Sequence, residues 1–542
     1  MAKTPTIPFQ DLEAGQLEAL LERVRPLIQP QDFQLLQKVI TTLGLVLEWL
    51  QRKTLSLRRL RQMIFGPKTE KSSKLLSKAK DKATDPALQS AGANGSTQPK
   101  EKKKGHGRNG VDDYPGAERI AVPHQTLHAG CTCPLCLKGR LYDMNKPAVI
   151  IRIVAQPIFP AKIFELMQLR CSRCLMVFTA QAPPEAGSSK YSEEVPAMLA
   201  ILRYGMGLPL FRIEKLQQSF GVPLPAATQW ELQWEAAQLL MPILECLIQT
   251  AAQAWLFYHD DTRMKVLSLM EENANQAAED PDSKERTGIF TTGILAEVGE
   301  HRIALFFTGR KHAGENLQAV LDKRQEGLPK PIQMSDGLSS NELKTAQTQE
   351  ANCNTHSRRK YADVVESFPQ ECRFVLETLK EVYKNDAKAK ELGLSPEERL
   401  DFHQAHSQKL MEELERWARE QIAQKKVEPN SGLGQAISYM LKRWEKLTLF
   451  LRQAGTPLDN NAAEQILKRA ILHRKNSMFY RNERGAMVGD LYMSLIETCR
   501  FCGVNPLEYL TAVQKHARLA TEDPEQWLPW NFQATLAILD TS

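Results

Sequence analysis

Three acidic residues, far apart in the sequence, stand where metal ligands of an enzyme are often found. Asp260 and Asp336 each follow an apolar run that reads as a strand, and Glu464 falls in the first turn of a segment that reads as a helix. Carboxylate oxygen is the preferred ligand of a hard cation such as Mg²⁺, and a protein supplies only a few such ligands because substrate and water complete the coordination shell. We therefore predict that the three carboxylates meet around divalent metal.

Each acid also has a simpler explanation. Asp336 is followed by Gly337, and Asp-Gly pairs commonly close strands as turns. If Asn461 is the N-cap of the helix, Glu464 occupies the third helical position, where a glutamate closes a capping box. Either explanation would be preferred for one residue taken alone, so the motifs around the acids have to decide.

Two widely separated C-x-x-C pairs indicate a second kind of metal site. One pair is Cys133 and Cys136, the other is Cys171 and Cys174, and alternating strand-like runs lie between them. A tetrahedral structural Zn²⁺ requires four ligands, and two such pairs on a β-ribbon supply four thiolates. The spacing predicts one structural zinc ion per chain.

The composition is typical of a multidomain protein in a reducing compartment. The chain has 542 residues, of which 42% are hydrophobic and 25% charged, with a formal net charge of +6. One hydrophobic core does not organise so long a chain, no apolar run approaches the roughly 18 residues that cross a membrane, and no signal peptide is evident. Ten cysteines in such a chain favour metal ligation over disulfides, and the unmatched pair Cys499 and Cys502 is interpreted as buried thiols. We expect a cytoplasmic protein with no membrane partner.

The segments before the first acid predict self-association and DNA contact. From Leu36 to Ile64, apolar residues recur in steps of three and four, which indicates a coiled coil; an amphipathic helix packed within its own domain is the alternative. At 190–250, two helices around the turn at Phe220 have helix-turn-helix spacing, although an ordinary helical hairpin fits as well.

Several short motifs occur along the chain in a familiar order. They are Phe65-Gly66-Pro67-Lys68-Thr69-Glu70-Lys71, His259-Asp260-Asp261-Thr262, Ser335-Asp336-Gly337, Cys353-Asn354-Thr355-His356-Ser357-Arg358-Arg359-Lys360, Asp459-Asn460-Asn461-Ala462-Ala463-Glu464, Arg474-Lys475-Asn476-Ser477 and Leu528-Pro529-Trp530-Asn531. Together they resemble the transposases of the IS66 insertion-sequence family over nearly the whole chain.

The resemblance implies that Asp260, Asp336 and Glu464 are the DDE acids of a ribonuclease-H-like domain. Two positions depart from the family's motifs: Asp261 stands where glutamate is usual, and Leu338 stands where tyrosine is usual after Asp-Gly. Neither departure removes a ligand, and alignment favours Asp260 over Asp261 as the first acid.

The fold class implied is a multidomain α+β chain with an N-terminal coiled-coil helix, a zinc ribbon, a helical HTH-like region and a ribonuclease-H-like α/β catalytic domain with a helical insertion. The expected segments are a helical leucine-zipper region (1–71), a basic flexible linker (72–118), a zinc-binding β-ribbon (119–185), a helical DNA-binding region (190–250), the first part of the catalytic core (251–361), the helical insertion (362–453), the second part of the core with the glutamate helix (454–515) and a C-terminal tail (516–542).

The activity implied is phosphoryl transfer with two catalytic Mg²⁺ ions, for which Mn²⁺ can substitute. Each transposon end would be cleaved to expose a 3′-OH, which is then joined to target DNA. The implied partners are transposon-end and target DNA, further copies of the chain through the coiled coil, and accessory transposition proteins, at the nucleoid of a bacterial cytoplasm. Two alternatives stay open: a ribonuclease-H-like nuclease without strand transfer, and a zinc-dependent DNA-binding protein or repressor without activity.

A set of basic residues near the acids is predicted to hold DNA phosphates. For each of them a solvated or salt-bridged helix face is the alternative. The set is Arg358, Arg359, Lys360, Lys468, Arg469, Arg474 and Lys475.

Overall fold

The computed structural model shows a mixed α/β protein. Its described residues are 33, most of 126–142 (without 127, 133 and 137), 158–170, 177–279 without 188, and 286–541 without 344, 346 and 347. The strands are β1 Gln168–Arg170, β2 Val177–Thr179, β3 Leu256–Arg263, β4 Phe290–Val298, β5 His301–Gly309, β6 Ile332–Ser335 and β7 Gln349–Asn352.

The helices outnumber the strands among these residues. They are α1 Glu194–Ala200, α2 Leu210–Ser219, α3 Ala226–Ala251, α4 Leu267–Glu279, α5 Ala313–Leu321, α6 Asn354–Val364, α7 Pro369–Glu391, α8 Pro396–His406, α9 Gln408–Ala423, α10 Gly432–Lys442, α11 Trp444–Leu447, α12 Asn461–Ser477, α13 Glu483–Phe501, α14 Pro506–Lys515, α15 Ala517–Glu522 and α16 Phe532–Thr541.

A five-stranded mixed sheet has the strand order β5-β4-β3-β6-β7. Strands β4 and β5 form an antiparallel hairpin, whereas β6 is parallel to both β3 and β7. The chain divides into two compact units, with boundaries that fall inside the strand β3 and the helix α12. Of the described residues from 126 onwards, those at 254–260 and 312–464 belong to unit 1, and those at 126–253, 261–311 and 465–541 belong to unit 2.

Unit 1 contains the start of β3, the parallel strands β6 and β7, and the helices α5 to α11. The apolar residues of β3, β6 and β7 form one small core, which includes Leu256, Ile332 and Met334. Helices α6, α7, α9 and α10 bury a larger core of their own, to which Leu376, Leu414 and Ile437 belong. The residues expected to form a helical insertion therefore fold around an apolar centre distinct from that of the strands.

Unit 2 shows how the edge of a sheet can be covered by a helix. Unpaired N–H groups on an edge strand invite association with other chains. Along β5, three such groups instead donate to side chains spaced four residues apart on α13. They are Ala304 N to Thr498 Oγ1 (3.1 Å), Phe306 N to Ser494 Oγ (3.0 Å) and Thr308 N to Asp490 Oδ2 (2.6 Å).

The C-terminal part of the chain packs in unit 2. Trp527 is buried, and its carbonyl accepts a hydrogen bond from the Tyr509 hydroxyl at 2.9 Å. Trp530 stacks on His301 at the start of β5, with ring centroids 4.5 Å apart. The C-terminal tail expected from the sequence is therefore part of this unit's packing.

The unmatched cysteine pair is structural. Cys499 is fully buried and Cys502 is half-buried, and both thiols are free. Burial raises the pKa of each thiol, so both are protonated at neutral pH. The interpretation as a buried thiol is confirmed for Cys499, whereas Cys502 is only half-buried.

Several predicted features lie partly or wholly outside the described residues. The coiled coil, the basic linker and three of the predicted zinc ligands (Cys133, Cys171 and Cys174) fall there. The fourth, Cys136, is exposed in a turn. Strands β1 and β2 form a two-stranded antiparallel ribbon that begins at Gln168. Within the described parts of the chain, no helix has the length and apolar character needed to cross a membrane.

Candidate active site

The parallel pairing of β3 with β6 puts Asp260 and Asp336 at equivalent positions along the two strands. The last register pair between β3 and β6 is Tyr258 with Met334. Asp260 and Asp336 are each the second residue beyond that pair, and neighbouring strands lie about 4.8 Å apart. The apolar run in the sequence predicts that the first strand ends before Asp260, whereas β3 continues to Arg263, so Asp260 lies within the strand. The prediction ends the strand too early because its last residues are polar and give no hydropathy signal.

Asp336 occupies a tight loop directly after β6. Its Oδ1 accepts hydrogen bonds from the Leu338 amide (2.9 Å) and from Asn341 Nδ2 (2.6 Å). Gly337 adopts a left-handed conformation with φ +77°, which glycine tolerates without the steric cost of a Cβ. The Asp-Gly turn of the simpler explanation is therefore present, and it holds one carboxylate oxygen of Asp336 in a fixed position.

The third acid is placed by the residue that precedes its helix. Asn460 is fully buried; its side-chain amide donates to the carbonyl of His259 (2.9 Å), next to Asp260, and its backbone N–H donates to Cys353 Sγ (3.3 Å). The Glu464 amide donates to the Asn460 carbonyl (3.3 Å), which is the first bond of α12. Asn460 thus ties the beginning of the glutamate helix to the strand that carries the first aspartate.

This helix start excludes the capping-box explanation of Glu464. Since α12 begins at Asn461, the N-cap position belongs to Asn460 and Glu464 is the fourth helical residue. The Asn461 amide donates to Asp459 Oδ1 (3.1 Å) rather than to Glu464. Instead, Glu464 Oε1 lies 3.9 Å from His356 Nε2, and the Glu464 side chain is 36% exposed.

A second buried asparagine connects the two ends of the long chain segment that lies between Asp336 and Glu464. Asn354, the first residue of α6, donates through Nδ2 to the carbonyls of Leu447 (3.0 Å) and Leu458 (3.2 Å). Leu447 is the last residue of the helical segment, which comprises α6 to α11, and Leu458 lies three residues before α12, the helix that carries Glu464. The helical segment therefore leaves and rejoins the rest of unit 1 at neighbouring points, which keeps Glu464 within reach of the strands.

The polar groups around the acids are buried and neutral. Burial lowers the pKa of His259 to about 3, so its imidazole is uncharged at neutral pH. Gln333 Nε2 lies 2.9 Å from His259 Nε2 and donates to the Asn341 carbonyl at 2.8 Å. Burial raises the pKa of Cys353 to about 11, so the group that accepts from the Asn460 amide is a thiol.

The unsatisfied polar atoms of unit 1 lie near the acids. Among its described residues, the buried side-chain atoms without a hydrogen-bond partner are His259 Nδ1, Asn341 Oδ1, His356 Nδ1, Ser357 Oγ and Asn460 Oδ1. Four of these residues adjoin or contact one of the acids or anchor the helix of Glu464, and Ser357 follows His356 in the sequence. Leaving such a group unpaired costs about 1–3 kcal/mol, so the region suits a hydrated ion or a polar substrate better than a sealed core.

The carboxylates themselves are not gathered around one point. No group of three or more His, Cys, Asp or Glu side chains within the described ranges is arranged to hold a metal ion. Asp336 Oδ1 is engaged in its own loop, and Glu464 is directed to His356. Side chains change rotamer far faster than packed backbone moves. Ligation of one ion by the three acids would therefore require their side chains to turn.

The residues predicted to contact phosphate differ in exposure. Arg359, Lys360, Lys468 and Lys475 are exposed, and Arg358 is half-buried. The two remaining residues of the set are bonded within unit 2. The Arg469 guanidinium pairs with Glu497 (2.6 Å) and donates to the Gly205 carbonyl (3.1 Å). Arg474 donates to Thr262 Oγ1 (3.0 Å) and to the Arg263 carbonyl.

The asparagines that position the acids give little signal in the sequence. Asn354 and Asn460 lie inside the quoted motifs, but nothing in their spacing distinguishes an anchor from a surface amide. One signal is available: Asn460 directly precedes a helix that carries a candidate ligand, where a polar side chain either caps the helix or binds elsewhere.

Comparison with known proteins places the chain in a family. Residues 188–488 match the family described as Transposase IS66 family, a range that includes all three acids and the helical segment. Two similar proteins come from Sinorhizobium fredii (strain NBRC 101917 / NGR234). The uncharacterized protein y4hP is 25% identical over 525 residues, covering 89% of each chain. The uncharacterized protein y4jD is 24% identical over 417 residues, covering 74% of this chain and 78% of its own. The match over more than half of the sequence shows that this chain belongs to the IS66 family of transposases.

Proposed function

We propose that this chain is an active DNA transposase that cleaves the ends of its insertion sequence and joins the exposed 3′-OH to target DNA. The observation that supports this most directly is the placement of Asp260 and Asp336 at equivalent positions past the last β3–β6 register pair, with Asn460 anchoring the helix of Glu464 to the same strand. Carboxylates from two parallel strands and one helix would then face one short stretch of DNA.

The ligand set favours hard divalent cations. Asp260, Asp336 and Glu464 offer oxygen alone, which Mg²⁺ and Mn²⁺ prefer. Two such ions, when bound, activate the attacking oxygen and stabilise the leaving oxygen of an in-line displacement. Asp336 would bind through the oxygen other than Oδ1, which its loop already engages, and Glu464 would turn from His356 toward the strands.

The histidine that precedes the first acid has a supporting role in this proposal. His259 is buried and neutral, and it contacts Gln333, which in turn bonds the Asn341 carbonyl beyond Asp336. These contacts join the strand of the first acid to the loop of the second. A charged histidine is not needed, because the metal ions supply the positive charge for phosphoryl transfer.

The DNA would be held by exposed cations. In unit 1 these are Arg359 and Lys360 on α6, and the Lys360 ammonium also lies over the Tyr439 ring. Phosphate contacts of this kind fix the register of the duplex without reading its sequence.

The N-terminal part would serve assembly. We propose that a zinc ion on Cys133, Cys136, Cys171 and Cys174 orders this part of the chain. Four thiolates satisfy a closed tetrahedral site, which contributes directly to folding. Coiled-coil association between copies of the chain would then bring two DNA ends together.

The test is an assay with labelled DNA that carries the ends of the element encoding this chain, with and without Mg²⁺. We expect Asp260→Asn, Asp336→Asn and Glu464→Gln each to lower end cleavage by at least about 100-fold, the loss typical of a group that stabilises a transition state. DNA binding in a mobility-shift assay should be retained. Asp261→Asn is the matched control, because it removes the neighbouring carboxylate and should leave cleavage within a few-fold of the parent.

Two outcomes would contradict the proposal. Equal loss of DNA binding and cleavage in the three variants would make the acids structural. Cleavage of a substrate without joining of a pre-cut end to target DNA would identify a nuclease that lacks strand transfer.

A further inference from the structure

The loop that carries Asp336 is held by a helix about a hundred residues away in sequence. The Tyr439 hydroxyl donates to the backbone carbonyl of Asp336 (2.9 Å). Arg443 donates through Nε (3.2 Å) and Nη2 (2.9 Å) to the next carbonyl, that of Gly337. The carbonyls of two consecutive residues, Asp336 and Gly337, therefore accept hydrogen bonds from two side chains that are four residues apart in the sequence. Tyr439 lies in α10, and Arg443 directly follows that helix.

The Tyr439 ring is itself held by two cations. Arg443 Cζ lies 4.1 Å from the ring centroid and Lys360 Nζ lies 4.4 Å from it. Cations within about 6 Å of an aromatic face are attracted to it. Burial raises the pKa of Tyr439, so its hydroxyl remains a hydrogen-bond donor at neutral pH.

The helix that presents these groups is firmly anchored. Leu433, Ile437 and Met440 of α10 are buried in the core of the helical segment. The loop backbone at Gly337 packs directly against the Arg443 guanidinium. A Cβ at this position would lie only 2.9 Å from Arg443 Nε, which is too close for a larger residue. Both partners of the contact are therefore closely constrained.

We propose that Tyr439 and Arg443 are positioning residues that hold the Asp336 carboxylate where a divalent cation can bind it. This inference rests on the proposed function, since it assigns to Asp336 a role in metal binding. The two side chains bond backbone carbonyls rather than the carboxylate, so they act by fixing the peptide groups from which the ligand projects.

The experiment measures Mn²⁺ affinity by electron paramagnetic resonance, with the full chain mixed with a short DNA duplex. Tyr439→Phe removes one hydroxyl and keeps the ring beside its cations. The loss of one hydrogen bond on the ligand's own peptide should weaken Mn²⁺ binding by about tenfold. Arg443→Lys keeps the charge but not the paired donors, and should have a similar effect. Tyr361→Phe is the matched control, because the Tyr361 hydroxyl donates to Met440 Sδ (3.4 Å) within the helical core rather than to the loop.

The outcomes separate this inference from the proposed function. Weaker Mn²⁺ binding in both Tyr439→Phe and Arg443→Lys, with Tyr361→Phe unchanged and thermal unfolding similar in all, supports it. Unchanged Mn²⁺ binding in those two variants, while Asp336→Asn loses it, refutes the positioning role alone. If Asp336→Asn also binds Mn²⁺ as the parent does, the proposed metal site itself is wrong.

Discussion

Asn460 offers the sharpest test of how the third acid is placed. In Asn460→Ala the His259 carbonyl loses its side-chain donor, and a small void replaces a fully buried amide. Losing the partner of a buried acceptor costs about 1–3 kcal/mol. The substitution also removes Asn460 Oδ1, which has no partner of its own, so the lower half of that range applies. We expect the free energy of unfolding to fall by about 1–2 kcal/mol.

The effect on activity should exceed the effect on stability. Asn460 connects the start of α12 to β3, and Glu464 lies one turn into that helix. Misplacing a catalytic group by about 1 Å can cost about 100-fold in rate. The assays are denaturant unfolding and cleavage of end DNA by the folded fraction.

The neighbouring asparagine supplies the control for this prediction. Asn461 is exposed, and its backbone amide, not its side chain, bonds Asp459. Asn461→Ala should therefore match the parent in both assays. An Asn460→Ala protein that is destabilised as expected and still cleaves DNA at the parent rate would show that the anchor does not position Glu464.

Three further changes test other parts of the structure. Burial raises the pKa of Asp490 to about 7. Because the unfolded chain ionises this group at about pH 4, the contribution of Asp490 to stability should be largest below that pH and should fall by about 3–4 kcal/mol as the pH rises to 7. Asp490→Asn should remove most of this dependence in denaturant midpoints measured between pH 5 and 8. Gly337→Ala places a Cβ at φ +77° and 2.9 Å from Arg443 Nε, and should lower the free energy of unfolding by about 1–2 kcal/mol and weaken Mn²⁺ binding. Cys171→Ser should hold less zinc than the parent in elemental analysis, and a full equivalent in that variant would refute the four-thiolate assignment.

The sequence predicts local features well where hydropathy or a motif reports them. The strand before Asp336 and the helices on either side of Phe220 are present as the sequence predicts. The polar strand β7 and the continuation of β3 through Asp260 escape prediction, because short polar strands are stabilised by their neighbours rather than by their own composition. The residues that orient the acids escape it for a related reason. Tyr439 and Asp336 are separated by about a hundred residues, and no single-sequence pattern reports such a contact.

The same limit explains why charge in the sequence does not separate basic residues that pair within the protein from those that are exposed. Arg469 and Lys468 are adjacent on α12, yet the first pairs with Glu497 and the second is exposed. Their sequence context is nearly identical; what differs is the helical face, which the tertiary structure assigns.

The helical segment between Asp336 and Glu464 is hydrogen-bonded to the chain close to both of these acids. Its exit and return are joined by Asn354, whose amide bonds the carbonyls of Leu447 and Leu458. From its interior, Tyr439 bonds the Asp336 carbonyl. The segment also has a buried core of its own, separate from the core of the strands. One helical body is therefore bonded both to the loop of the second acid and to the residues that lead into the helix of the third.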